Sequence, residues 1–112
     1  MRALAPLLAL LLTPVAGSAA ETLSQPGDSP LVTFRILFET GAASDPEGKQ
    51  GVAALTAAML SKGGTATMSY NQIVESLFPM AASLSAQVDK EMTVFGGMTH
   101  IENLERYYEL LR

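Results

Sequence analysis

Residues 31–40, LVTFRILFET, alternate along an extended chain: Val32, Phe34, Ile36 and Phe38 on one side, Thr33, Arg35 and Leu37 on the other. Successive strand side chains point to opposite faces, so the stretch predicts a strand with one face well buried. GAASDPEGKQG, residues 41–51, has the composition of a loop. From Val52 the apolar residues change to a helical spacing. They predict a helix over 52–62 with Leu55, Met59 and Leu60 as its apolar anchors. Gly63 and Gly64 supply a C-terminal stop, and Lys62 in the last turn suits the helix dipole.

Ser69-Tyr70-Asn71-Gln72 matches a capping box ahead of an apolar run. Ile73 with Leu77, and Val74 with Phe78, are spaced four apart and predict a short helix ending near Pro79. SLSAQV (83–88) alternates strictly, Asp89-Lys90 can turn the chain, and EMTVFGGM (91–98) can return it. The pair predicts an antiparallel hairpin with one solvated face. Thr99-His100-Ile101-Glu102 reads as a second capping box, followed by a helical stripe of Ile101, Leu104, Tyr108 and Leu111. Strand, helix, helix, hairpin, helix is an α+β order with an antiparallel sheet packed with helices. Three strands leave open edges, and the last helix stops with the chain at Arg112. Both features read as part of a larger domain, and poor stability of the chain on its own is expected.

The first twenty residues follow a different rule. MRALAPLLALLLTPVAGSAA carries one early charge, Arg2, then an apolar stretch, then small residues, with Ser18 and Ala20 in a small-x-small pattern. This is a secretory signal, residues 1–20, and it predicts a periplasmic or secreted product without a membrane anchor after cleavage. A spanning helix needs roughly 20 apolar residues, and Pro6 and Pro14 interrupt this run. ETLSQPGDSP (21–30) reads as a flexible lead-in, which leaves 31–112 as the folded unit.

Charge and composition narrow the chemistry. The chain has 112 residues, 48% hydrophobic and 16% charged, which is a globular composition allowing one domain at most. Its net charge is -4, and loss of Arg2 with the signal leaves -5. No basic patch is available to neutralise phosphates, so a nucleic-acid partner is excluded. Cys is absent, which excludes disulfides, thiolate metal sites and a lipidated N-terminal Cys. His100, the single histidine, reads as a solvated first-turn residue. Glu102, Glu105 and Glu109 read as a solvated acidic stripe, with Glu105 and Arg106 as surface charges. The six methionines, Met59, Met80, Met92 and Met98 among them, are scattered over different elements and read as core filler. No Ser-His pair is positioned for nucleophilic catalysis.

One helix face is unusual: Ala54, Ala57 and Ala58 share a side of the 52–62 helix. The surrounding residues resemble the start of the M16 peptidases, the pitrilysin, insulinase and mitochondrial-processing-peptidase group. In that family a strand leads into a Gly-rich Asp-Pro loop, a helix bearing H-x-x-E-H, and K-G-T. Here the loop places hold Gly41, Ala42, Asp45, Pro46, Gly51, Val52 and Ala53, and the end holds Lys62, Gly63, Gly64 and Thr65. Ala82, Leu84, Ala86, Asp89 and Thr93 fill the places of two later strands, so the likeness spans residues 31–112. The resemblance implies the opening part of an M16 α+β domain.

It also implies that Ala54, Ala57 and Ala58 stand where the family keeps two zinc-binding histidines and the glutamate that activates water. Alanine offers neither a lone pair nor a proton acceptor, so no catalytic residue, metal ligand or cofactor is expected, zinc included. The family's third ligand would lie beyond Arg112. Plain packing is the bland account of the alanine face, and a vestigial cleft the sharper one. The favoured reading is a non-catalytic homologue partnering an active M16 zinc-peptidase subunit in a heterodimer, with peptide substrate reached only through that partner. An active zinc metalloendopeptidase with ligands elsewhere, and a small exported binding module, are the alternatives.

Overall fold

The computed structural model describes residues 20–112. The signal assigned to residues 1–20 therefore lies outside the described residues except for Ala20. Residues 21–30 form no helix or strand and are exposed.

Three strands, β1 (Leu31–Phe38), β2 (Ser83–Val88) and β3 (Thr93–His100), form one antiparallel sheet of order β1-β3-β2. The last strand in sequence is thus the middle one. Register pairs Leu31 with His100 and Phe38 with Thr93 on one side of β3, and Ser83 with Met98 and Val88 with Thr93 on the other. Among the described residues three α-helices accompany the sheet, α1 (Val52–Lys62), α2 (Tyr70–Leu77) and α3 (Leu104–Leu111). The pattern-derived elements are therefore present, and the α+β class with an antiparallel sheet holds.

Alternation assigns one sheet face to Val32, Phe34, Ile36, Phe38, Leu84, Ala86, Val88, Phe95 and Gly97, and this is the helix side. α1 lies mainly over β2 and less over β3, and α3 contacts β3. Neither covers the second half of β1. Ile36 and Phe38 are exposed there, so the expected well-buried face of β1 is only half-buried, at Val32 and Phe34. The opposite sheet face carries Ser83, Ser85, Gln87, Thr33 and Arg35, the solvated face that the hairpin predicts.

The anchors of α1 are corrected by the structure. Leu55, Met59 and Leu60 are exposed, while the side toward the sheet is Ala53, Ala57 and Ser61, with Ala57 only 3% exposed. Small side chains let a helix axis come close to a sheet, and the large residues of the same helix then lie outward. Gly63 ends α1 in an extended conformation at φ -78°, rather than with a left-handed turn, and its amide donates to the Met59 carbonyl at 2.9 Å. A Cβ there would strike that carbonyl.

α2 begins with the capping box as read. The Gln72 amide donates to Ser69 Oγ at 3.4 Å, and the Ser69 amide donates to Gln72 Oε1 at 2.8 Å. The second box does not form. Thr99 belongs to β3 and is fully buried, and its hydroxyl has no partner. The ladder with Val32 claims this residue before a cap can. His100 instead caps a short 3-10 turn, its Nδ1 accepting from the Glu102 amide at 3.3 Å. It is half-buried, not a solvated first-turn residue.

In α3 the residue that faces the sheet is Tyr107, 2% exposed, with Ile101, Leu104, Tyr108 and Leu111 all exposed. The Tyr107 ring lies 6.1 Å from that of Phe34, and its hydroxyl donates to the Ser83 carbonyl at 2.6 Å. Of the methionines among the described residues only Met80 is deeply buried, and Met59 and Met92 are exposed, which corrects their reading as core filler. Among the described residues the buried apolar core is therefore small: Ala57 on the hairpin, Met80 just ahead of β2, and Tyr107 on Phe34 and Gly97.

Candidate functional site

The loop before α1 decides where the alanine face sits. Gly41 is buried, and the next two amides, Ala42 and Ala43, donate to the Asp89 and Lys90 carbonyls at 2.9 and 2.8 Å. This fixes the loop on the β2–β3 turn. A Cβ at Gly41 would collide with the same backbone, so glycine is required by close approach.

Asp45 then reaches across to the start of α1. One carboxylate oxygen accepts from the Gly51 amide at 2.6 Å and the other from Ala53 at 2.8 Å. Gly51 adopts φ 97°, a left-handed conformation that glycine takes without steric cost. The first helical amides lack intrahelical acceptors, and α1 has no capping side chain at residue 51 itself. Asp45 serves as that cap from outside, and its negative charge suits the helix N-terminus. Asp45→Ala should cost about 0.5–2 kcal/mol, the usual worth of an N-cap, and Asp45→Asn less. Urea unfolding monitored by circular dichroism measures both, and an unchanged midpoint for the alanine variant would count against the cap.

Ala57 lines a cleft of about 310 Å³ between α1 and the β1–β3 end of the sheet, with Phe38, Phe95, Val52, Leu60 and Asp45. Ala54 and Ala58 do not line it. They are exposed on the outer side of the helix. The face that the sequence groups together is thus split, one methyl inward and two outward. Thr93 closes one end of the cleft, its hydroxyl donating to the Thr40 carbonyl at 2.8 Å.

The donor set does not fit a catalytic zinc. Three protein ligands with an open position are needed. The three alanines supply no lone pair, and the one carboxylate in the cleft is held by two helix amides. Among the described residues no group of three or more His, Cys, Asp or Glu side chains is placed to hold a metal. His100 stands at the far end of β3 from Thr93, about 23 Å along the strand at roughly 3.3 Å per residue. Glu102 lies 3.6 Å from His100 Nδ1, and Glu109 is paired with Arg112 at 2.9 Å. These acidic residues are solvated, as read, and distant from the alanines.

Two functional-scale features escaped the sequence reading. The Asp45 cap acts over six and eight residues of chain, outside the spacing of any local capping pattern. Its only sequence signal is an Asp-Pro close upstream of a helix that has no cap of its own. The second is a shallow polar cleft of about 470 Å³ on the open sheet face, lined by Thr33, Arg35, Ser83, Ser85, Gln87 and Gly96. No helix of the described residues is long and apolar enough to cross a membrane.

The family model for Insulinase (Peptidase family M16) matches residues 16–112. No curated protein matches the chain. A peptidase M16 inactive domain from Pseudomonas fluorescens superposes with a TM-score of 0.67 at 26% identity, over 75% of this chain and 20% of that one. Pitrilysin gives 0.63 at 20% identity, over 75% of this chain and 9% of its own. A protease from Helicobacter pylori gives 0.61 at 17% identity, over 74% and 20%. The last two show a shared fold. The chain spans a fifth or less of the length of each of these structures.

Proposed function

The chain belongs to the insulinase family, peptidase family M16, and from that premise we propose that it is a non-catalytic member whose zinc site has been lost. The observation that carries the reading is the run Ala54, Ala57, Ala58, at the places where the family resemblance puts the metal ligands and the water-activating glutamate. The fold around that helix is retained: the docked Gly41 loop, the Asp45 cap and the hairpin beneath Ala57. What is absent is chemistry, not scaffold. The likeness to a peptidase M16 inactive domain supports the same reading.

The proposal extends to export and partnership. Residues 1–20 act as a secretory signal and deliver the product to the periplasm or the medium. There it works beside an active M16 zinc-peptidase subunit as a heterodimer, helping to enclose peptide substrate that the partner cleaves. The alanine helix contributes shape and not hydrolysis.

Elemental analysis of the purified chain should find no stoichiometric zinc, and a peptide-cleavage assay should find no chelator-sensitive activity. One tightly bound zinc per chain overturns the proposal, and metal-dependent cleavage by the chain alone does the same.

A further inference from the structure

β3 ends at His100, and the chain turns there through the short 3-10 turn Ile101–Asn103 into α3. α3 carries Tyr107 onto Phe34, so this corner sets where the largest buried side chain sits. Two bonds hold the corner. The Ile101 amide donates to the Pro30 carbonyl at 2.8 Å, and the Glu102 amide donates to His100 Nδ1 at 3.3 Å. The first joins main chain to main chain and involves no titrating group. The second depends on protonation, because an imidazole nitrogen accepts only while it carries no proton. The form that makes this cap is the neutral ring with its proton on Nε2.

The same nitrogen faces a second group. Glu102 Oε2 lies 3.6 Å from His100 Nδ1. A protonated Nδ1 has nothing to offer the amide, but it can donate to this carboxylate. A positive ring is also opposed by the amide dipoles at a helix entry, which turn their positive ends toward it. The other charged residues on the adjoining elements are Asp28 in the lead-in, Arg35 on β1, and Glu105 and Arg106 on α3. Among the described residues none of them forms an ion pair with His100. Leu31, its partner across the β1 ladder, is uncharged.

We propose that His100 is a proton-operated joint between β3 and α3. Neutral, its Nδ1 accepts from the Glu102 amide and caps the turn. Charged, the same nitrogen releases that amide and donates to the Glu102 carboxylate. The two partners sit on one residue, and the ring serves one of them at a time. Imidazole is the side chain whose charge changes near neutral pH, so the exchange falls within ordinary conditions. A single hydrogen bond and an exposed ion pair are of similar small worth, so the corner changes partner while α3 stays folded. All of these atoms lie within residues 100–102, and none belongs to the alanine helix.

Nitrogen-15 NMR of the chain across a pH titration tests the joint. Above the measured His100 midpoint the ring should carry its proton on Nε2, and below it on both nitrogens. Solvent exchange of the Glu102 amide, divided by its intrinsic rate at each pH, should rise about two- to tenfold as His100 gains its proton, the effect of losing one hydrogen bond. The Ile101 amide should keep its protection throughout. His100→Asn supplies a capping oxygen that accepts at any pH, so the step at Glu102 should vanish with protection retained. His100→Ala should leave that amide unprotected at every pH. A neutral ring protonated on Nδ1 overturns the proposal. So does a Glu102 amide whose protection ignores the His100 titration or is missing at every pH, and so does a step that survives in His100→Asn.

Discussion

Replacing Tyr107 by alanine is expected to unfold the chain or bring it close to unfolding. The ring is 2% exposed, packs against Phe34 and covers the strand at Gly97, and its hydroxyl closes the β2 end by donating to Ser83. Truncating a buried aromatic residue costs about 3–5 kcal/mol. Small domains hold roughly 5–15 kcal/mol in total, and among the described residues the buried apolar side chains are only Ala57, Met80 and Tyr107. Tyr107→Phe keeps the ring and loses one hydrogen bond, about 0.5–1.5 kcal/mol, with the Ser83 carbonyl left lacking a donor.

Thermal melts should show the phenylalanine variant lower by roughly 4–8 °C per kcal/mol and the alanine variant without a cooperative transition. An alanine variant that melts like wild type would remove Tyr107 from the core. Alkaline titration tests the same contact. Burial pushes the Tyr107 hydroxyl above its ordinary value of 10.0, with a backbone hydrogen bond from Met98 acting the other way. The unfolded chain therefore ionises first. Stability from this group is complete below the ordinary phenol value and is lost as pH rises through the raised one. Tyr107→Phe should abolish that part of the alkaline loss.

The second large effect is expected at Gly97. A Cβ there would run into the Tyr107 hydroxyl and the edge of the Phe34 ring. Forcing extra atoms into a packed site typically costs about 1–3 kcal/mol, so Gly97→Ala should destabilise by that order and Gly97→Val by more. Neighbouring Gly96 supplies the control. A Cβ at that position meets nothing closer than Ser85 Oγ at 3.7 Å, so Gly96→Ala should be nearly silent. A double-mutant cycle sharpens the test: with Tyr107→Phe present, Gly97→Ala should cost less than it does alone, because the obstructing hydroxyl has gone. Equal costs at Gly96 and Gly97 in chemical denaturation would show that the steric account is wrong.

Particular residues show what the sequence could and could not disclose. Element positions were legible because period and punctuation agree. Strict alternation marks β2, Ser69 with Gln72 marks the start of α2, and the Gly63-Gly64 pair marks the end of α1. Which side of a helix faces inward was not. Periodicity groups Leu55 with Met59, and Ala53 with Ala57, without saying which group meets the sheet. Close approach of α1 to the hairpin selected the small side chains, against the usual preference for burying large ones. The same ambiguity hid Tyr107 behind the more uniformly apolar stripe of Ile101, Leu104 and Leu111.

Thr99 failed for another reason. T-x-x-E satisfies the local capping rule, but strand pairing with Val32 is a distant constraint that no local rule contains. At the candidate site, the chemical poverty of Ala54, Ala57 and Ala58 was plain from their identities. Their division between cleft and solvent was not, since it depends on the tilt of α1 over β2. The Asp45 contacts were invisible because the loop that brings carboxylate to amides is irregular.

The central place of β3 has a kinetic consequence. β1 leaves the ribosome first, yet its partner residues 93–100 are made some sixty residues later. Pairings of such long sequence separation form slowly, because the loop between them must be ordered before they contribute. Until then LVTFRILF is an uncharged-but-for-one, strand-prone segment with no mate, the kind of stretch that seeds aggregates. Yield in the cell should therefore follow the supply of holding chaperones more closely than it follows the melting temperature of the finished molecule.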